Sequence, residues 1–233
     1  GGFYMLTALQ TYPALPDSGV FRKMSHVLML LPAGDDLPAD CPDGKLLRAT
    51  LARRQLDADE LCSDPQFANS ADGGLRVWLM LDPEKPAFEN LSLLRQGIAI
   101  LLDEEPVTVD VIISPKIMRP EWAADLVAYV ALANGTPLPH RKQKDAPRAL
   151  EALQIWGCAE NLSNAAALAE GNLLARSLTV LPPNELTPAV YRSKLAALAS
   201  ECGWEMEVFD LTRLRDMGAG AFVSVAQGSA AGD

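Results

Sequence analysis

Between residues 26 and 133 the spacing of apolar residues switches repeatedly between a strand period and a helix period, and few folds accommodate that pattern. The run His26-Val-Leu-Met-Leu-Leu31 is short, apolar and closed by Pro32, Gly34 and two aspartates, as a buried strand leaving into a loop would be. Residues 45–56 are rich in Leu, Ala and Arg and read as a helix, before a polar stretch at 63–74 breaks the pattern. Residues 75–81 read as a second buried strand, closed by Asp82-Pro83. Leu91, Leu94, Ile98 and Leu101 then fall on one face of a helix. After Pro106 the period becomes two: Val107, Val109, Val111 and Ile113 share one face of a strand, with Thr108 and Asp110 on the other. Trp122, Leu126, Tyr129 and Ala133 restore helical spacing before Gly135. Alternating strands and helices predict an α/β fold on a largely parallel sheet.

With 233 residues, one domain and part of a second is the natural expectation. Hydrophobic residues at 49% and charged residues at 21% provide enough apolar material for a core. The net charge of -10, from 30 acidic and 20 basic residues, repels phosphate backbones and anionic lipid, so nucleic acid is not the expected partner. The apolar runs fall far short of the roughly 20 residues of a membrane helix. The N-terminus lacks the basic-then-apolar pattern of a signal peptide, and Gly1 reads as a residue left by a cloning tag; the expected location is the cytoplasm. Cys41, Cys62, Cys158 and Cys202 form no Cys-x-x-Cys pair and have no histidine nearby in sequence, so no structural zinc is expected. His26 sits in an apolar run and reads as a satisfied core or edge histidine, and His140 follows prolines in a loop.

Residues 135–147 are polar and proline-rich and read as an interdomain loop. The basic cluster Arg141, Lys142, Lys144 and Arg148, at and just past this stretch, reads as a short solvated loop rather than a phosphate contact. Leu150, Leu153, Trp156, Leu168 and Leu174 predict a long helical connector to about Leu178, with Gly157 and Gly171 as weak points.

The informative stretch is Ala175-Arg-Ser-Leu-Thr-Val-Leu-Pro-Pro-Asn-Glu-Leu-Thr-Pro188. Pro182-Pro183 stops the helix, and Thr187-Pro188 supplies an N-cap and a first-turn proline for the next one. Tyr191, Leu195, Leu198 and Cys202 are expected on that helix's buried face, with Gly203 as its left-handed C-cap. Residues 206–208 then read as a strand, 211–217 as a short helix, and 221–226 as a strand entered through Gly218-Ala-Gly220. That glycine pair follows a helix and lacks a third glycine, so it reads as a turn and not a dinucleotide loop.

Ala175-Arg176, Leu178, Pro182-Pro183-Asn184 and Thr187-Pro188, followed by Met217-Gly-Ala-Gly-Ala-Phe-Val-Ser-Val-Ala-Gln-Gly-Ser229, resemble two ordered motifs of the M17 leucyl aminopeptidase family. Residues 1–140 match that family in general layout only. Val180 stands where many members carry Asn and Ala226 where Gly is common, which points to a divergent subgroup. The resemblance implies a macro-like α/β domain at 1–135, a linker and connecting helix at 136–178, and the opening βα elements of a peptidase domain at 179–233, incomplete. It also implies a homohexameric exopeptidase acting on peptides, in which two divalent metals, zinc or manganese, activate a water. The family's metal ligands lie in motifs C-terminal to the Gln-Gly-Ser segment, so no catalytic, cofactor or metal residue is carried over. Candidate carboxylates Asp35-Asp36 and Glu104-Glu105 read as solvated loop charges. The alternative is a stand-alone macro-like module binding a nucleotide or nucleic acid; acidic charge and the lack of a phosphate-cradling loop weigh against it, and stabilisation by ADP-ribose or a salt-dependent DNA shift would reveal it.

Overall fold

A computed structural model describes residues 7–140 and 147–228. Contacts divide the chain into two compact units, Gly1–Ser177 and Leu178–Asp233. The first is built on six strands: β1 (Ala8–Tyr12), β2 (His26–Pro32), β3 (Gln66–Asn69), β4 (Leu75–Leu81), β5 (Thr108–Ile113) and β6 (Ala152–Trp156). They lie in the order β1-β6-β5-β2-β4-β3, parallel throughout except that β3 runs antiparallel to β4. The helices of this unit are α1 (Ser18–Lys23), α2 (Gly44–Arg54), α3 (Ala87–Leu102), α4 (Pro120–Gly135) and α5 (Ser163–Thr179), with a 3-10 helix at Ala58–Cys62.

The apolar runs read as buried strands are buried because helices cover both faces of the sheet's centre. Leu28, Leu30, Val77, Leu79, Val109 and Val111 meet Leu94 and Ile98 of α3 and Val127 and Ala131 of α4. On the opposite face Val27, Met29, Leu31, Trp78, Met80 and Ile112 meet Leu47 and Leu51 of α2. A parallel strand covered on two sides has no solvent face to fill with polar residues, which is why β4 is apolar at six of its seven positions. The exception is Arg76, 1% exposed.

The α/β reading holds, with specific corrections. The stretch expected as a helical connector from about residue 147 instead contributes β6, inserted between β1 and β5. Leu153 and Ile155 point into the core at period two, and a slot with a strand ladder on either side overrides the modest helix propensity of Ala-Leu-Gln. The helical part of that stretch is α5 alone. The expected helical stripe of α4 is offset: Trp122, Leu126 and Tyr129 are partly buried at the rim, while Ala123, Ala124, Val127 and Ala128 face the sheet. Small residues let the helix backbone approach closely, a signal that a search for bulky apolar residues passes over. Asp110, placed by alternation on a polar face, is 6% exposed, because the sheet has no fully solvated face at β5. The polar stretch at 63–74 holds the edge strand β3, and β1 and α1 are further elements of the fold that had no expectation attached.

The second unit contains α6 (Pro188–Cys202), α7 (Leu211–Asp216) and α8 (Gly220–Ala226). The caps of α6 are as expected: Val190 N donates to Thr187 Oγ1 at 3.4 Å, Pro188 opens the helix, and Gly203 closes it at φ 68°. Its buried face is smaller than expected, since Leu198 is buried, Leu195 is half-buried, and Tyr191 and Cys202 are exposed. The strand expected at 206–208 is irregular chain, and the strand expected at 221–226 is helix α8. A strand needs a neighbour to take its N–H and C=O groups. Among the described residues of this unit there is none, and residues 220–226 satisfy those groups within a helix, with Val223 N donating to Ala219 O at 3.2 Å.

Candidate functional site

The residues singled out in the sequence are spread over the fold rather than gathered. His26 begins the central strand β2 with its Nδ1 3.0 Å from Ser25 Oγ and its Nε2 2.9 Å from Glu104 Oε2, so both ring nitrogens have partners. Glu105, Asp35 and Asp36 are exposed. His140 lies in irregular chain after α4, far along the sequence from His26 and on a different element. Cys41, Cys62, Cys158 and Cys202 are free thiols, and burial raises those of Cys41, to about 11, Cys62 and Cys158. Such thiols stay protonated near neutrality and make poor nucleophiles. Arg148 donates to Glu151 Oε1 at 2.8 Å, while Arg141, Lys142, Lys144 and Ser229 lie outside the described residues. Among the described residues no three His, Cys, Asp or Glu side chains come together as a metal site would require, so the side chains described do not fit a dinuclear metal centre.

The motif residues do structural work. Arg176 Nη1 donates to Ala133 O at 2.8 Å and ties α5 to the end of α4. After α5 ends at Thr179, Pro182 O accepts from Glu185 N at 2.9 Å and Leu186 N at 3.0 Å, a turn that delivers Thr187 to the start of α6. At Gly218-Ala-Gly220 the three amides donate to Arg215 O, Leu214 O and Gly218 O, at 3.0, 2.9 and 2.8 Å. Those donors are turned inward to close α7, so the segment is a turn and cradles no phosphate.

Two buried charges sit inside apolar strands, and neither was singled out as a functional residue in the sequence. Arg76 Nε donates to Asp43 Oδ2 at 3.0 Å and its Nη1 to Met24 O at 2.8 Å. Asp110 Oδ1 accepts from Trp156 Nε1 at 3.0 Å. Burial pushes the Asp110 carboxyl above its ordinary range, opposed by the Trp156 hydrogen bond and the charge of Arg76. A carboxyl whose folded pKa is raised binds its proton more tightly folded than unfolded, so stability is gained as pH falls through the folded value and is lost as pH rises through it. Asp110→Asn is therefore expected to flatten the dependence of stability on pH on the acid side of neutrality. Urea melts of both proteins at a series of pH values check this, and parallel curves would contradict it.

A mixed sheet, parallel but for one edge strand and layered with helices, defines an α/β protein of the leucine aminopeptidase fold: the chain superposes on a mutant of tomato leucine aminopeptidase with a TM-score of 0.72 at 17% identity, over 94% of this chain and 48% of that one. The family model of the cytosol aminopeptidase family's catalytic domain matches residues 173–232. A probable cytosol aminopeptidase of Methylorubrum populi is 42% identical over 94 residues, 38% of this chain and 19% of the relative. One from Parasynechococcus marenigrum is 38% identical over 117 residues, 48% of this chain and 24% of the relative. Over residues 173–232 the chain is therefore similar to the catalytic domain of the M17 cytosol aminopeptidase family. Its matches span about a fifth to a quarter of these curated relatives and about half of the tomato chain.

Proposed function

We propose that this chain is the N-terminal portion of a leucyl aminopeptidase whose complete form removes N-terminal amino acids from peptides with two divalent metals, zinc or manganese, as a cytoplasmic homohexamer. The observation that carries the reading is the match of residues 173–232 to the family's catalytic domain. In this reading the first unit is the family's N-terminal domain, residues 179–233 open the peptidase domain, and the catalytic and metal-binding residues belong to the rest of the protein. Exposed Trp204, Met206, Val208, Phe209, Phe222 and Val225 in the second unit support it. An apolar surface of that kind is what an opening segment would present to the remainder of its own domain.

The chain alone is accordingly expected to hydrolyse no leucine p-nitroanilide with or without manganese or zinc, whereas the longer protein does so in a metal-dependent way. Metal-dependent turnover by the 233-residue chain, abolished by a substitution within it, would overturn the assignment of chemistry to the remainder.

A further inference from the structure

At β3 the sheet ends in an edge that the described residues of the first unit leave open. β3 is the last strand, packed against β4 on its inner side and against α2 on one face. Its hairpin fixes which main-chain groups the ladder uses: Ser70 N donates to Gly74 O at 2.8 Å and Ser70 O accepts from Gly73 N at 2.9 Å, so Ser70 is a hydrogen-bonded position. Such positions alternate along an antiparallel strand. Ala68 and Gln66 therefore also bond to β4, and the N–H and C=O groups of Phe67 and Asn69 point away from the sheet. No side chain or loop among the described residues takes those groups up, and both residues are exposed, Phe67 at 39%. A groove of about 520 Å³ opens on this edge, lined by Arg53, Arg54, Phe67, Asn69, Ile100 and Asp103 among others.

The groove carries opposite charges on its two sides. Arg53 and Arg54 end α2, which packs on the sheet face of Trp78 and Met80. Asp103 and Glu104 follow α3, which packs on the face of Val77 and Leu79. Arg53 and Asp103 are exposed, and neither side chain has an ion-pair or hydrogen-bond partner among the described residues. Arg54 Nη1 donates at 2.6 Å to Gln66 Oε1, a neutral acceptor, and its guanidinium lies 5.1 Å from the centre of the Phe67 ring. That arginine is held at the edge already but is bonded to no carboxylate. Glu104 is engaged with His26 Nε2 at 2.9 Å, which leaves Asp103 as the uncommitted acid.

We propose that the β3 edge docks an extended polypeptide segment that joins the sheet as a further strand and carries an acidic and a basic residue next to each other, the acid toward Arg53 and Arg54 and the base toward Asp103. Unpaired N–H and C=O groups along a strand edge are matched by another main chain. Successive side chains of a strand point to opposite faces, so neighbours in the partner's sequence reach the arginines on one side and the acid on the other. A carboxylate is also a stronger acceptor for Arg54 than the amide oxygen it now uses. A second copy of β3 is a poorer occupant, because Gln-Phe-Ala-Asn brings no charge to either side.

The test titrates the 233-residue chain with the blocked peptide Thr-Val-Glu-Lys-Val-Thr and reads the backbone amide resonances of Phe67 and Asn69. Saturable shifts at both, with slowed solvent exchange, are expected. Methylating the amide nitrogens of the peptide's Glu and Lys, one of which faces β3 whichever edge docks, is expected to weaken binding at least about tenfold. The reordered peptide Thr-Glu-Val-Lys-Val-Thr keeps the composition but puts both charges on one face, and is expected to bind about threefold more weakly, the factor carried by one exposed ion pair. Arg53→Ala is expected to weaken the first peptide by the same factor. No shift at Phe67 and Asn69, or equal binding of the methylated peptide, overturns the docking, and equal binding of the two orders overturns the charge assignment. Shifts at those amides that follow protein concentration without peptide would give the edge to a second copy and overturn the proposal as well. The peptide comparisons need no variant, and they are independent of whether the longer protein is an aminopeptidase.

Discussion

Replacing Arg76 by alanine is expected to destabilise the first unit by about 3–5 kcal/mol, the range for removing one partner of a buried, hydrogen-bonded ion pair. Arg76 enters the core from the second position of β4 and is 1% exposed. Its guanidinium ties together two pieces of chain: Asp43 at the start of α2, at 3.0 Å, and the end of α1, through the carbonyls of Met24 at 2.8 Å and Phe21 at 3.4 Å. It also lies 4.9 Å from the centre of the Phe21 ring. Truncation would strand buried carbonyl oxygens and open a cavity beneath α1, so the loss reaches beyond the pair itself. Asp43→Asn should cost much less, roughly 1–2 kcal/mol, because the Asp43 side chain is 31% exposed and asparagine tolerates its left-handed φ of 50°. Urea denaturation of the three proteins checks the order. Equal losses for the two variants would place the energy in the ion pair and not in the carbonyl contacts.

Gly157→Ala is expected to be nearly as damaging, at roughly 2–5 kcal/mol. Gly157 follows β6 at φ 92°, a conformation that disfavours any side chain, and a Cβ there would lie 2.8 Å from the main-chain oxygen of Ile113. Backbone cannot swing aside as a side-chain end does, so β5 and β6 would have to separate where they leave the sheet. Gly73→Ala is the control: φ is 84°, nothing lies within 4 Å of the added carbon, and the cost should be near the backbone term alone, about 1 kcal/mol. Thermal melts that rank the two glycines equally would show that crowding against Ile113 contributes nothing.

What the sequence determined by itself was whatever depends on neighbours along the chain. The runs at β2, β4 and β5 and the stripe of α3 were legible because period two and period 3.6 are local properties. So were the caps of α6 at Thr187 and Gly203, and the turn at Gly218, since each satisfies or ends its own helix. The family resemblance was legible from 175–188 and 217–229, where prolines and glycines in order constrain backbone directly. Tertiary structure decided the rest. It made β6 from a segment whose residues suit helix almost as well, because the gap between β1 and β5 supplies ladder partners on both sides. It left residues 206–208 and 221–226 without a strand neighbour, and β-rich patterns there became irregular chain and helix. The same logic governs the buried charges. Nothing adjacent in sequence says that Arg76 will meet Asp43, or that Asp110 will accept from Trp156 46 residues away. Those pairs exist because sheet order and helix packing bring distant segments together, and the burial that makes them energetically important is a property of the assembled layers alone.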